Sequence, residues 1–224
     1  MAQTKKREFR DWDYWGRPVP GFGDPNARLL VIGLAPAAHG ANRTGRMFTG
    51  DSSGQWLIRA MYRAGFASQP TTTHRGDDLR LMNSYLTAIV RCAPPDNRPV
   101  PAEISNCAGY LRGELTLLKR VRVVVTLGQM AFHQYLSLAK ERGALVPRPR
   151  PPFRHGATYT FSSKVEPTQP VLVASYHPSR QNTQTGRLTE VMLDEIFSRV
   201  RDLLKRVPSR RPVPERGASG TGHA

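Results

Sequence analysis

Two polar segments of this chain hold most of the side chains that could do chemistry. Residues 171–189 begin as an apolar run and turn polar at His177, Arg180 and Asn182. Residues 29–51 also change from apolar to polar, and Phe48 and Asp51 lie near the end of this segment. A carboxylate can orient water, a histidine can stabilise an anionic leaving group, and an aromatic ring can stack on a base. Asp51, His177 and Phe48 are therefore the leading candidates for a reactive site.

Each leading candidate also has a structural explanation. Asp51 precedes two serines at the expected start of a helix, so helix capping alone would account for it. Phe48 could belong to the core, which is the commoner role of a single aromatic residue. His177 precedes a proline that fixes the chain where the loop begins, but one histidine is a weak signal. The first of these loops also offers His39, Asn42 and Arg43, and the loop after the second strand offers Asn97 and Arg98.

Alternating segments predict the elements that would position these loops. Apolar runs predict four strands, and helical spacing predicts a helix after each of them. The strands are expected at residues 28–33, 84–90, 121–127 and 171–175, and the helices at 53–66, 101–118, 128–139 and 187–207. This alternation predicts an α/β fold with a parallel sheet covered on both faces and its loops gathered at the carboxyl ends of the strands. Residues 1–207 are expected to form one domain, followed by a disordered basic tail at 208–224.

The composition restricts the class of partner. Lys and Arg number 33 against 17 Asp and Glu, which gives a formal net charge of +16. Such a balance favours polyanions, although a generally basic proteome or a basic tail would also explain it. No apolar stretch approaches the roughly 20 residues that cross a bilayer, so no membrane partner is expected. Two cysteines and the lack of a signal peptide favour a cytoplasmic location.

Three long segments carry a resemblance to a known family. GLAPAAHGANRTGRMFTGD at 33–51, YLTAIVRCAPPDNRP at 85–99 and SYHPSRQNTQTGRLT at 175–189 resemble the hallmark segments of the type B, or family five, uracil-DNA glycosylases. The shorter segments WGRPVPGFGDP and FRHGA add to the match. The resemblance implies a three-layer α/β/α sandwich with a four-stranded parallel sheet. It also implies a monomeric base-excision-repair enzyme that hydrolyses the bond between a deaminated base and deoxyribose in DNA.

The resemblance assigns roles to residues at matching positions. Asp51 matches the acidic residue that activates or positions water, His177 the histidine near the pyrimidine O2, and Asn97 the asparagine of base binding or catalysis. The base pocket would comprise Gly33, Leu34, Ala35, Pro36, Phe48 and Ala88. The expected DNA contacts are Arg43, Arg180, Gln181, Asn182 and Arg187.

One position bears on specificity. Related families place a uracil-reading asparagine where this chain has Ala88. Because that amide is missing, we expect hypoxanthine, and also xanthine, to be substrates beside uracil. Extruding any of these bases from a duplex costs a few kcal/mol, which stacking and phosphate contacts must offset.

The cysteines depart from the family pattern. Type B enzymes hold a [4Fe-4S] cluster with four cysteines, and this chain matches two of them, Cys92 and Cys107. The other two would lie just before REFRDWDYWGRPVP. Two explanations are open: a natural protein that begins further upstream and holds the cluster, which we favour, or a real loss of the cluster. No metal is expected in the chemical step.

Two other functions remain as alternatives. A catalytically silent module that binds DNA or senses damage could keep the same pocket. A hydrolase of free nucleosides is disfavoured, because such substrates lack the phosphates that the positive charge would attract.

Overall fold

The computed structural model describes residues 5–165 and 169–206, and its apolar runs form the strands of one sheet. In chain order the strands are β1 (Phe22–Gly23), β2 (Leu29–Gly33), β3 (Ser84–Ala88), β4 (Val123–Leu127), β5 (Thr158–Tyr159) and β6 (Val171–Ser175). They lie in the order β1-β3-β2-β4-β6-β5. The central four run parallel, as the sequence predicts, and β1 and β5 pair antiparallel at the two edges.

Helices cover both faces of the sheet. They are α1 (Ala41–Thr44), α2 (Ser52–Arg63), α3 (Pro101–Leu117), α4 (Gln129–Glu141), α5 (Arg180–Gln184) and α6 (Glu190–Arg206). Side chains of α2 and α6 belong to one buried cluster, and those of α3 and α4 belong to the other. The predicted three-layer α/β/α class is therefore confirmed.

Strand β2 shows why the sheet must be covered on both sides. Leu29 and Val31 pack into the cluster beneath α2 and α6, whereas Leu30 and Ile32 pack into the cluster beneath α3 and α4. Every residue of the strand is buried. A strand without a polar face can be stable only between two helical layers.

The predicted elements differ from the observed ones mainly at their ends. The closing helix begins at Glu190, after the expected start at residue 187, because Thr189 Oγ1 accepts a hydrogen bond from the Met192 N–H as helix caps do. The short edge strands and the short helices α1 and α5 were not predicted, since two to five residues carry too little periodicity. The expected tail at 208–224 lies outside the described residues.

Within 5–165 and 169–206, none of the helices combines the length and the apolar character that spanning a bilayer requires.

Candidate active site

The loops that follow β2, β3 and β6 meet over the carboxyl edge of the sheet. They line a cleft of about 780 Å³, which is within the size range of small-molecule sites. Asp51 reaches it from the first loop, Asn97 from the second and His177 from the third. The cleft therefore brings together the three predicted catalytic residues, while their roles stay predictions.

Asp51 both caps a helix and lines the cleft. Its Oδ1 accepts a hydrogen bond of 2.8 Å from the Gly54 N–H, which caps α2 as one of the two sequence interpretations proposed. Burial raises the pKa of this carboxyl, against the opposing effects of the Gly54 and Ser53 N–H groups and the charge of Arg43. The capping bond fixes the carboxylate at the cleft, so the two interpretations are compatible.

The cleft wall opposite the cap of α2 comes very close to Asp51. A Cβ atom on Gly40 would overlap Asp51 Oδ2, so only glycine fits between the loop backbone and this carboxylate. The early part of the first loop, at Gly40, is thus packed directly against its end, at Asp51.

His177 lies two residues after the end of β6, and a hydrogen bond to its backbone holds it in place. The Asn182 side chain donates a 2.8 Å hydrogen bond to the His177 carbonyl oxygen. The imidazole Nδ1 is buried and has no hydrogen-bond partner among the described residues. Burial lowers the pKa of His177 to about 4, so the imidazole is neutral at pH 7. A neutral imidazole carries one ring N–H, which can donate a hydrogen bond to an oxygen.

Asn97 lies at the open side of the cleft. It is exposed, belongs to a 3-10 turn over Pro95–Asn97 and has a positive φ of 55°. Asp96 has a positive φ of 51° as well, so this short turn is not regular helix and the segment is a loop, as the sequence predicts. The position of Asn97 at the cleft agrees with the prediction.

The expected base pocket is only partly on the cleft wall. Leu34 and Ala35 line the cleft. Phe48 lies behind it, with its ring centroid 6.4 Å from that of His177, and a Cβ on Gly33 would come within 2.5 Å of the Phe48 ring. Pro36 and Ala88 are buried, and Ala88 packs into the core. Ala88 is not among the residues that line the cleft, so its place at the base pocket stays a prediction.

Two of the expected DNA contacts are used inside the protein. Arg43 is only 4 % exposed, and it donates hydrogen bonds to the carbonyl oxygens of His39 and Gly50. The amide of Asn182 is bonded to the His177 carbonyl. Both side chains help to hold the loops. Arg43 is too deeply buried to contact DNA, which corrects that prediction, whereas a DNA contact of the partly exposed Asn182 stays a prediction.

The other expected DNA contacts are accessible. Arg180 and Gln181 are exposed and line the cleft from α5. Arg187 is also exposed, and its guanidinium lies 4.7 Å from the centroid of the Tyr176 ring. Arg180 and Gln181 therefore border the cleft, and contact of all three side chains with DNA stays a prediction.

Comparison with known proteins gives the family. The sequence profile of the Uracil DNA glycosylase superfamily matches residues 20–201. A type-5 uracil-DNA glycosylase of Thermus thermophilus is 52 % identical over 199 residues, which are 89 % of this chain and 86 % of that protein. The chain belongs to the type-5 uracil-DNA glycosylases.

Other relatives agree with this placement. A type-5 uracil-DNA glycosylase of Mycobacterium bovis is 48 % identical over 91 % of this chain and 73 % of its own length. A type-4 uracil-DNA glycosylase of Archaeoglobus fulgidus is 28 % identical over 72 % of this chain and 70 % of its own length. The chain is thus more similar to these type-5 relatives than to the type-4 one, as its sequence segments predict.

Cys92 and Cys107 can supply two of the four thiolates of the iron-sulfur cluster that the resemblance implies. Cys92 is exposed, Cys107 is partly buried, and both thiols are free. Burial, the neighbouring Cys107 and Glu103 raise the pKa of Cys92. Residues 5–165 and 169–206 contain no group of three or more His, Cys, Asp or Glu placed to hold a metal. A [4Fe-4S] cluster takes four protein ligands, and this sequence has two cysteines, so the described residues alone do not complete such a cluster.

The amino-terminal segment of this glycosylase is a part of the site that sequence reasoning missed. Lys6, Glu8 and Phe9 line the cleft, and the Tyr14 hydroxyl is hydrogen bonded to His39 Nδ1 at 2.8 Å. The available signal was the density of aromatic and charged residues at 5–15, which is unusual for a simple leader into a strand.

Proposed function

We propose that this chain is a DNA glycosylase that hydrolyses the N-glycosidic bond of uracil in DNA. The observation that carries the proposal is the single cleft lined by Asp51 and His177, two groups from distant loops. Membership of the type-5 family supports uracil as the base and DNA as the partner. We further propose that the enzyme acts as a monomer in the cytoplasm.

The target base must first leave the duplex. Extrusion costs a few kcal/mol, and contacts in the cleft and to the flanking phosphates must offset it. Arg180 and Gln181 stand at the rim, where they can hold the displaced strand. The ring of Phe48 sits behind the cleft, close to His177, where it can stack on the inserted base after a small adjustment of the loop.

Bond cleavage then separates charge between the base and the sugar. As the C1′–N1 bond breaks, its electron pair leaves with uracil, and a positive charge develops on the deoxyribose. We assign the His177 N–H to the uracil O2, where a neutral donor stabilises the negative charge. We assign the Asp51 carboxylate to the sugar cation and its attacking water.

Hydrolysis is completed by that water. Its oxygen forms the new bond to C1′, and Asp51 accepts or orients the proton that it releases. The uracil anion takes a proton from solvent. Asn97, at the open side of the cleft, is positioned to hydrogen bond the base edge.

We propose that hypoxanthine and xanthine are further substrates. Ala88 is buried and apolar, so the end of β3 offers no amide to read the edge of uracil. Discrimination by a polar site depends on buried groups that are left unpaired by the wrong base. Without such a group at this position, selectivity for uracil is expected to be loose.

The test uses a uracil-containing duplex followed by alkali. We expect strand cleavage with the wild-type chain and a loss of about a hundredfold or more in the single-turnover rate for Asp51→Asn and for His177→Asn, with duplex binding largely kept. A matched control is Asp194→Asn, which removes an exposed carboxylate on α6. Binding without base release by the folded wild type would favour a silent DNA-binding module, and release from free nucleosides alone would favour a nucleoside hydrolase.

A further inference from the structure

Arg43 is a buried cation in the loop that carries Asp51. Its guanidinium carbon lies 3.9 Å from the centroid of the Phe9 ring and 4.1 Å from that of Trp12. The two rings are themselves nearly perpendicular, at 79°, so they form a corner into which the guanidinium fits. Because a cation gains more from aromatic faces when water is excluded, this corner holds the charge inside the protein. We refer to Phe9 and Trp12 as the ring clamp.

The hydrogen bonds of Arg43 join the two ends of the loop. Nε donates to the His39 carbonyl oxygen at 2.8 Å, and Nη2 donates to the Gly50 carbonyl oxygen at 3.1 Å. Gly50 immediately precedes Asp51. The guanidinium therefore fixes the backbone on which the candidate catalytic carboxylate is mounted, next to the Gly40 contact on its other side.

The charge of Arg43 has no ion-pair partner within the described part of the chain. Its Nη1 is buried without a hydrogen-bond acceptor there. Three ionisable groups that can carry negative charge act on it, namely Tyr14, Asp51 and Glu8 in decreasing order of effect, so Asp51 has a stronger effect than Glu8. A buried cation and a buried carboxyl so placed each lower the cost of the other's charge.

We propose that Arg43 is a positioning residue that holds Asp51 in its ionised form and in place, and that the ring clamp is what keeps its charge effective. The inference rests on the proposed function, in which Asp51 acts as a carboxylate. It adds a role for the amino-terminal segment, since Phe9 belongs both to the clamp and to the cleft wall.

Arg43 is one of several groups that affect the pKa of Asp51. The N–H groups of Ser53 and Gly54 on α2 also stabilise the carboxylate. The cleft is also lined by further titratable or charged side chains, namely His39 of the same loop and Lys6, Glu8, Asp96, Arg98, His177 and Arg180 of other segments. With Arg43 removed, burial and the two N–H groups remain, so the pKa of Asp51 is expected to rise.

The experiment is a pH profile of single-turnover uracil release. In Arg43→Met the acidic limb should move up by about one pH unit, since an opposite charge nearby lowers a carboxyl pKa by one to three units. Arg43→Lys keeps the charge but loses the two hydrogen bonds of the guanidinium. The acidic limb of this variant should lie close to the wild-type position, and its maximal rate of uracil release should be lower. Trp12→Ala opens the clamp to water and should give a smaller shift in the same direction as Arg43→Met, and it decides the matter if Arg43→Met fails to fold.

Arg46 provides a matched control in the same loop. It is equally buried, but its guanidinium is paired with Asp77 at 2.7 Å. Arg46→Met should lower stability and leave the acidic limb in place. An unshifted limb in folded Arg43→Met, or an equal shift in Arg46→Met, would overturn the inference. An unshifted limb in Trp12→Ala would overturn the part played by the clamp, and it would overturn the whole inference if Arg43→Met fails to fold.

A second readout separates this inference from the proposed function. The pKa of the Asp51 carboxyl can be measured by NMR titration of the free protein, with Asp51→Asn used to assign the signal. A rise in Arg43→Met supports the inference even if the wild type releases no uracil, a result that would remove only the proposed function. No rise in that variant overturns the inference whatever the activity.

Discussion

At the scale of single residues, the site depends on close contacts that permit no added atom. Gly40 and Asp51 show this most clearly, because the carboxylate oxygen occupies the space that a side chain on Gly40 would need. The same carboxylate is fixed from the other side by the Gly54 N–H. Its position is therefore determined by backbone on both sides, which a catalytic group needs to keep its geometry.

Gly40→Ala is a prediction at this scale. The added methyl group must displace Asp51 or the loop backbone, so we expect single-turnover uracil release to fall by about a hundredfold, as a misplacement of about 1 Å can cause. The melting temperature of the variant should stay close to that of the wild type. Gly109→Ala is the control, because a Cβ on Gly109 meets no atom within 4 Å, and an equal loss of activity in that variant would contradict the explanation.

His177 gives a second prediction, on stability. Burial lowers its pKa to about 4 in the folded chain from about 6.5 when unfolded, so protons bind preferentially to the unfolded state between these values. The contribution to stability is full above pH 6.5 and is lost as the pH falls toward 4. Between pH 7 and pH 5 the wild type should lose about 2 kcal/mol more unfolding free energy than His177→Asn, measured by denaturant titration. Equal losses in the two chains would show that His177 is not buried as a neutral ring.

The residue types and their order were enough to predict that three candidate catalytic side chains meet at the cleft. Asp51, Asn97 and His177 each follow a strand of a parallel sheet, and such loops share one edge. The sequence could not predict that Arg43 is internal, because the rings that bury it come from the distant amino-terminal segment. Nor could it predict that Ala88 faces the core, which depends on how the loops lie over the sheet.

At the scale of elements, the loop after α2 is built around a buried ion pair. Arg46 and Asp77 are 2.7 Å apart, with side chains 5 % and 8 % exposed. Asp77 also accepts hydrogen bonds from the Thr73 and Leu79 N–H groups, so one carboxylate organises the whole loop. Thr72 of this loop donates to the Phe48 carbonyl oxygen, which connects it to the site.

Asp77→Asn tests the importance of this pair. The substitution leaves the Arg46 charge buried without its partner, and we expect a loss of about 3 to 5 kcal/mol in the free energy of unfolding. Asp194→Asn is the matched control, because its ion pair with Arg63 is exposed and should contribute less than about 1 kcal/mol. Similar small losses for both would mean that solvent reaches the Arg46 pair.

The long elements were predictable for a reason that fails for the short ones. The β2 and β6 runs are apolar throughout, and the four long helices have several residues of the expected period. Helix α5 has five residues, and its start depends on the Ser179 side chain accepting from the Asn182 N–H. Such a helix owes its existence to local capping and to the packing of the loop, neither of which periodicity reports.

At the scale of the whole molecule, the positive charge is expected to act on DNA from a defined side. Arg154 precedes His155, whose Nδ1 accepts from the Tyr176 N–H, and Arg187 lies over the same Tyr176 ring. Both arginines are therefore beside the residue that precedes His177, at the edge of the sheet where the cleft opens. Both are exposed and have no ion pair within the described residues, so they are free to meet the phosphates that flank an extruded base.

The salt dependence of duplex binding tests this arrangement. Each phosphate neutralised by a side chain contributes about 0.9 to the slope of log K against log salt concentration, so Arg154→Ala with Arg187→Ala should reduce the slope by about 2. Lys119→Ala with Arg120→Ala removes two exposed cations just before β4, at the opposite end of the parallel strands, and should leave the slope nearly unchanged. Equal reductions by the two pairs would mean that the formal charge of +16 attracts DNA without orienting it. A reduction confined to the first pair would place the duplex over the carboxyl edge of the sheet, where Asp51 and His177 can reach one extruded base.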